Sequence, residues 1–159
     1  MAGVPSISFE GVKTKNMIDN EIIEEYLNKP YWIIDFLPKQ VPSDRRGPYF
    51  EIEKYFLKPE QMEQICQRFG NLLIKLNCYY NFSVCHALEH WVENPKPEDL
   101  MEWLRSGQML YVVIDSADAM ISFTGDEHYM TLYNPCQSLL DLVIPLTASE
   151  GLFVWEFTS

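Results

Sequence analysis

The chain has 159 residues and a mass of 18.7 kDa, which is the size of one domain. Its content of 47% hydrophobic and 14% aromatic residues excludes a disordered or low-complexity protein. A formal net charge of −11 argues against a sequence-independent nucleic-acid binder, because such binding depends on Lys and Arg side chains that neutralise phosphates. We therefore expect one folded domain over residues 1–159 that binds no nucleic acid.

Membrane attachment and secretion are also not expected. The longest apolar runs are about the length of Leu110–Ile114, far short of the roughly 18 residues that a membrane helix needs. The first 11 residues contain neither a basic stretch nor an apolar run, so we expect no signal peptide. The cysteines form no C-x-x-C pair, which favours reduced thiols over disulfides or a structural zinc site. They are Cys66, Cys78, Cys85 and Cys136. These features predict a cytoplasmic protein.

The first third of the chain predicts three strands and a helix. Residues 6–9 are typical of a short strand, and residues 17–27 place apolar side chains on one helical face with glutamates on the other. Residues 31–37 and 49–57 are rich in β-branched and aromatic side chains and predict longer strands. The proline, glycine and charged residues between them predict a long surface loop.

The clearest helix is predicted over residues 59–76. Pro59 suits its first turn, and apolar residues follow at helical spacing. They are Met62, Ile65, Phe69, Leu72, Leu73 and Leu76. Gly70 costs about 1 kcal/mol relative to alanine in a helix interior, so its presence predicts a close helix crossing.

Three shorter elements follow. Residues 78–84 predict a strand. Residues 97–106 predict a helix that begins at Pro97 and is stopped by Gly107. Residues 109–114 are continuously apolar and predict an interior strand buried on both faces.

Residues 119–133 predict a β-hairpin. Gly125 and Asp126 are typical of a two-residue turn, which sets Phe123 opposite His128 and Ile121 opposite Met130. The same register, which pairs Ala119 with Leu132, gives the hairpin one apolar face and one mostly polar face.

A final helix and strand complete the fold. Asn134 is expected to cap a helix that begins at Pro135, kinks at Pro145 and ends near Gly151. Residues 152–157 predict the last strand. Because strands come in runs, we expect an α+β fold, a mainly antiparallel sheet of about six strands with three to four packed helices.

Residues 86–90, H-A-L-E-H, match the H-x-x-E-H pattern of inverted zinc metalloproteases. On a helix, His86 and His90 lie one turn apart and can share a zinc ion, while Glu89 activates the metal-bound water. The late glutamates left for a third ligand, Glu150 and Glu156, do not lie in a convincing helix interior. The other interpretation is two partly exposed histidines on a segment that follows a strand.

Other catalytic groups have less support. Cys136 is expected in the first turn of a helix, where the helix dipole lowers the pKa of a thiol, but no known signature surrounds it. His128 falls on the apolar face of its hairpin and is interpreted as a packed or rim histidine. No glycine-rich phosphate loop or nucleophile elbow occurs in the sequence, and we expect no cofactor.

Charge is distributed unevenly along the chain. All 12 Lys and Arg residues lie at or before Arg105, whereas residues 106–159 contain seven acids and no Lys or Arg. Four of these acids fall at predicted strand ends and turns and are the candidate partner-binding residues: Asp115, Asp118, Asp126 and Glu127. Such acids can steer a basic partner protein to its site, although negative charge also serves solubility alone.

Two functional hypotheses follow. The first is a non-catalytic, acidic interaction module (an inhibitor, immunity-type or adaptor protein) that binds a basic protein partner. The second is a small zinc-dependent hydrolase that uses His86, Glu89 and His90. The sequence leaves the oligomeric state and the identity of the partner open.

Overall fold

The computed structural model describes residues 20–124 and 127–158, and their strands form one antiparallel sheet. The order across the sheet is β3-β2-β4-β5-β6-β1-β7. The strands are β1 (Tyr31–Asp35), β2 (Ser83–His86), β3 (His90–Glu93), β4 (Leu110–Ile114), β5 (Ala119–Phe123), β6 (Tyr129–Tyr133) and β7 (Phe153–Glu156). The earliest strand thus lies between the two latest ones.

Five helices accompany this sheet in the described part of the chain. They are α1 (residues 20–27), α2 (Arg46–Phe56), α3 (Pro59–Asn77), α4 (Pro97–Arg105) and α5 (Gln137–Ser149). The α+β prediction is confirmed, with seven strands instead of about six and five helices instead of three to four. The strand expected at residues 6–9 and the start of the first helix lie outside the described residues. None of the described helices is long and apolar enough to cross a membrane.

One face of the sheet packs against α3, α4 and α5. Strand pairing aligns Leu132, Ile121 and Val112 in one row on this face, and they join the main core with the apolar sides of the three helices. In α3, the side chains of Phe69 and Leu72 are fully buried, as the helical spacing predicts. Helix α3, which buries these side chains, is therefore a main contributor to the core.

The predicted close crossing at Gly70 is confirmed. A Cβ atom at this position would overlap the side chain of Met101 and lie 3.2 Å from Cδ1 of Leu104, both on α4. Glycine therefore allows α3 and α4 to approach closely. The predictions of α4 and β7 are confirmed within a residue or two, and β4 is also present with only Tyr111 not fully buried.

The other face of the sheet is only partly covered. Helix α1 buries Ile23 and Tyr26 there against Cys85, Val113 and Met120. Helix α2 borders this face but has no buried residue of its own. Between the two helices the sheet remains open, and this gap forms the candidate site.

Two predicted strands are wrong. Of residues 49–57, all but Leu57 lie in α2, and residues 78–82 form a turn and short connection between the end of α3 and β2. The aromatic residues of the first segment favour a strand, but Pro48 is tolerated in the first turn of a helix and the segment's glutamates and lysine favour a helix. In residues 78–82, the backbone N–H of Phe82 donates a hydrogen bond of 2.8 Å to the side-chain oxygen of Asn94, which stabilises the turn.

The predicted hairpin exists, but in a different register. Ile121 lies opposite Leu132 instead of Met130, a shift of two residues. Because side chains alternate with a period of two, this shift keeps every residue on its predicted face, and Phe123 is 2% exposed. The expected turn residues, 125 and 126, lie outside the described residues. His128, expected to pair with Phe123, precedes β6 and is buried near α2.

The last helix differs from its prediction at one end. Its N-cap is Cys136, whereas Asn134 adopts a left-handed φ of 58° and donates a hydrogen bond to the backbone oxygen of Asp118. The prediction that Asn134 caps the helix is therefore wrong. Helix α5 does continue through Pro145, and Gly151, with a φ of 74°, follows its end as expected.

Candidate functional site

A cavity of about 690 Å³ opens on the partly covered face of the sheet, bordered by the end of α1 and by α2. We call it the sheet pocket. Its floor consists of alternate residues of the sheet, and α2 supplies a wall. The floor residues include Tyr31, Ile33, Asp35, Tyr111, Ser122, Tyr129, Thr131, Tyr133 and Trp155. The wall residues from α2 are Arg46, Tyr49, Phe50 and Glu53.

Strand pairing explains the composition of the floor. Tyr31 pairs with Tyr133, Ile33 with Thr131, and Asp35 with Tyr129, so each strand presents every second residue to the pocket. The rings of Tyr31 and Tyr133 are 5.7 Å apart, and Phe157 stacks on Tyr31 at 5.0 Å. These contacts form a cluster of three aromatic rings at one end of β1.

The charge of the pocket is predominantly negative. Among its described lining residues, three carboxylates (Asp35, Glu53 and Glu127) face one cation, Arg46. Burial and then Glu127, Glu53 and Asp35 raise the pKa of Tyr129 to about 12. Its phenol therefore stays protonated and able to donate a hydrogen bond in a negative field.

Beneath the pocket, a buried histidine joins α2 to the sheet. His128 is 0% exposed. Its Nε2 lies 2.9 Å from the hydroxyl of Tyr49 and 3.1 Å from Oε2 of Glu53, both on α2. Its Nδ1 lies 3.5 Å from Oδ1 of Asp35 on β1. The backbone N–H of Phe36 donates a further hydrogen bond to that same carboxylate oxygen, at 2.7 Å.

These two carboxylates control the charge of the imidazole. Burial by itself lowers the pKa of His128, but hydrogen bonds and charge attraction from Asp35 and then Glu53 outweigh burial and raise the pKa overall. Burial and the same two acids also raise the pKa of Tyr49. The arrangement can therefore hold a proton between β1 and α2. The prediction of a packed histidine is confirmed by its full burial.

The predicted partner-binding acids do not form one surface. Asp115 and Asp118 lie just before β5 begins, whereas Glu127 lies beyond its other end and lines the sheet pocket. Asp118 accepts hydrogen bonds from the hydroxyl of Tyr26 at 3.0 Å and from the side chain of Asn134. Asp126 lies outside the described residues. Of the three acids that the structure describes, only Glu127 lines the cavity, and Asp118 has a clear structural role.

The H-x-x-E-H segment is a hairpin, not a helix. His86 ends β2, His90 begins β3 and the two are paired, with Ala87 and Leu88 at left-handed φ values of 50° and 72° in the turn. The ring of His86 stacks on Trp103 at 3.9 Å. The helical geometry that a zinc site of this type needs is absent here. Within residues 20–124 and 127–158, no group of three or more His, Cys, Asp or Glu side chains is placed to hold a metal.

Cys136 lies at the start of α5 and outside the sheet pocket. A hydrogen bond with Ser138 and then the backbone of Leu139 lower the pKa of its thiol. The expected direction of this shift is therefore correct, and its first cause is a neighbouring side chain. The thiol is exposed, as is that of Cys78, while Cys66 and Cys85 are buried.

Comparisons with models of known protein families, with curated proteins and with solved structures find no match to this chain. The sheet pocket is therefore the basis for assigning a function.

Proposed function

We propose that this protein is a non-catalytic interaction module that binds a basic protein partner, and that the sheet pocket receives a Lys or Arg side chain of that partner. The observation that carries this proposal is the composition of the pocket. Among the described residues, five tyrosines and Trp155 share one cavity with three carboxylates and a single cation, Arg46. Both groups of residues attract a positive charge, the rings through their faces and the carboxylates directly.

The dimensions of the pocket and its surroundings support a side chain as the occupant. Its volume of about 690 Å³ falls within the range of ligand pockets in proteins. Two apolar lining residues are unusually exposed, Phe50 at 60% and Leu27 at 42%. Exposed apolar residues beside a pocket are typical of a surface that docks another protein. An arginine suits the site best, because its planar guanidinium stacks on aromatic rings and pairs with carboxylates.

The cytoplasm is the compartment that we propose, supported by four cysteines that form no disulfide. The acidic last third of the chain serves as a steering field for the partner, and its described acid in the pocket lining is Glu127. No observation favours the zinc hydrolase over this function.

The proposal is tested with a short blocked peptide that carries one arginine, titrated into the protein by calorimetry. The matched control peptide carries citrulline, which has the same shape as arginine and no charge. We expect the arginine peptide to bind at least about tenfold more tightly, equivalent to ~1.4 kcal/mol. Equal binding of the two peptides, or no binding of either, would contradict the proposal.

A pair of variants locates the binding site. Glu127→Gln removes a carboxylate from the pocket, whereas Asp115→Asn removes one from an exposed turn outside it. We expect the first variant to weaken binding of the arginine peptide and the second to leave it unchanged. Equal effects of both variants would place the binding site on the general acidic surface instead.

A further inference from the structure

Two carboxylates of the sheet pocket also hold the buried imidazole beneath it. Asp35 and Glu53 line the cavity, and the same side chains lie 3.5 Å from Nδ1 and 3.1 Å from Nε2 of His128. The ring is fully buried, while 29% of the side chain of Glu53 is exposed. A cation in the pocket and a proton on the imidazole of His128 would therefore both interact with the carboxylates of Asp35 and Glu53.

The charged and titratable groups around the imidazole come from four parts of the fold. Asp35 faces it from β1, and Glu53 and Tyr49 face it from α2. Tyr129, in its own segment, has its ring 5.7 Å away. On the side of α3, Arg68 lines a small cavity of about 70 Å³ together with His128. The two carboxylates favour the charged imidazole, and burial opposes it.

We propose that the proton on His128 and the cation in the sheet pocket compete for Asp35 and Glu53, so that binding of the partner releases a proton and becomes tighter as the pH rises. This inference rests on the proposed function. With the ring protonated, its Nε2–H donates to Glu53 and its Nδ1 lies 3.5 Å from Oδ1 of Asp35, so the negative charge available to the pocket is reduced. When the proton leaves Nε2 for the solvent, that nitrogen accepts the hydroxyl hydrogen of Tyr49, and Glu53 is available to the guanidinium.

The structure also explains why the competition is strong. Like charges repel more in a water-poor environment than in bulk solvent, and the imidazole has no exposed surface. If the bound cation lowers the pKa of His128 by one unit, the affinity for the cation is tenfold higher at a pH well above both pKa values than at a pH well below them. We expect a change of about tenfold between pH 5.5 and pH 8.5 for the arginine peptide.

The experiment uses the unaltered full chain and the blocked arginine peptide, whose guanidinium does not titrate in this range. Calorimetry in two buffers with different ionisation enthalpies measures the protons released on binding. Nuclear magnetic resonance follows the imidazole protons with and without peptide, and the chain has three histidines to assign. We expect proton release near neutral pH and a lower pKa for His128 in the complex.

The possible failures are distinguishable. Peptide binding without proton release and without pH dependence overturns this inference and leaves the proposed function intact. Absence of peptide binding at every pH overturns the proposed function. His128→Gln should bind the peptide with a flat pH profile, whereas the control His86→Gln should keep the pH dependence. If His128→Gln does not fold, proton release by the unaltered protein still decides the question.

Discussion

Leu72 is a residue whose position follows from helical spacing alone. It is 0% exposed on α3 and packs in the main core beneath the sheet. Leu72→Ala should lower the free energy of unfolding by about 2–5 kcal/mol, because it removes a buried side chain and leaves a cavity. Urea unfolding followed by circular dichroism measures this loss.

The matched control for Leu72 is Gln64→Ala on the same helix, at an exposed position. Its expected effect is within about 0.5 kcal/mol, as is usual for surface substitutions. A loss below about 1 kcal/mol for Leu72→Ala would show that α3 does not use this face to form the core.

His128 makes the stability of the protein depend on pH in a defined direction. Its pKa is raised in the folded state above the unfolded value of 6.5, through Asp35 and Glu53 and against the effect of burial. The resulting stabilisation is fully present below about pH 6.5 and is lost as the pH rises through the raised pKa. Urea midpoints measured between about pH 6 and 8.5 should therefore fall with pH.

His128→Gln should remove this fall in stability, and His86→Gln should not. Burial of His86 lowers its pKa, so its contribution to the pH dependence has the opposite sign. A decline that persists in His128→Gln would assign the effect to another group.

At the scale of elements, α2 depends on side-chain contacts more than on burial. It has no buried residue, and its links to the sheet include Tyr49 and Glu53 on His128 and Phe56 against Phe36 at 4.5 Å. A helix held in this way should open more readily than α3. The wall of the sheet pocket should therefore move more easily than α3.

Tyr49→Phe tests this view of α2 because it removes one hydroxyl and little volume. We expect amide hydrogen exchange in α2 to become about fivefold faster, which corresponds to the loss of one hydrogen bond of ~1 kcal/mol. Exchange in α3 should not change. Tyr55→Phe on the same helix is the control, because the hydrogen bond that its hydroxyl accepts from the side chain of Gln61 is solvent-exposed. An equal response to both substitutions would mean that the bond to His128 does not hold α2.

Local sequence patterns predict a secondary-structure element well where a single hydrophobic pattern extends over the whole segment. The spacing of apolar residues in α3 and the continuous apolar run in β4 each identify the correct element. Residues 49–57 do not have this clarity, because their aromatic residues fit a strand while their glutamates and lysine fit a helix. The hairpin register fails for another reason. The burial of His128 against Asp35 depends on a strand almost a hundred residues away, which no local pattern records.

The sheet pocket was beyond prediction for a similar reason. The alternation of Tyr129, Thr131 and Tyr133 is visible in the sequence, as is that of Tyr31 and Asp35. Their meeting across one ladder depends on the pairing of β1 with β6. Two of the predicted acids illustrate this limit. Glu127 precedes β6 and lines the pocket, whereas Asp115 does not line it, although the same charge pattern predicted both.

For the whole molecule, the acidic last third of the chain is spread over several elements. Residues 106–159 supply β4 to β7 and α5, so the acids described among them belong to several elements. Asp115 and Glu127 lie beyond opposite ends of β5, whose five residues span about 16 Å at ~3.3 Å each. That distance is roughly two Debye lengths at physiological salt.

We therefore expect Glu127→Lys to slow association with the arginine peptide about tenfold or more, and Asp115→Lys to slow it less than about twofold. Stopped-flow fluorescence at several salt concentrations measures both rates. The unaltered protein should associate more slowly as salt increases. A rate that responds equally to both reversals would indicate steering by total charge alone.

The position of β1 has a consequence for how the chain is made. This strand, with Ile33 and Ile34 at its centre, has β6 and β7 as its two neighbours, and β7 begins at Phe153. A ribosome that adds about 5–20 residues per second needs roughly 6 to 24 s to proceed from the end of β1 to that point. Both hydrogen-bonding edges of this strand lack their partners until β6 is made, and the edge that pairs with β7 lacks its partner throughout the interval, a condition that favours aggregation. We therefore expect the nascent chain to need the protection of a chaperone until β7 has been synthesised.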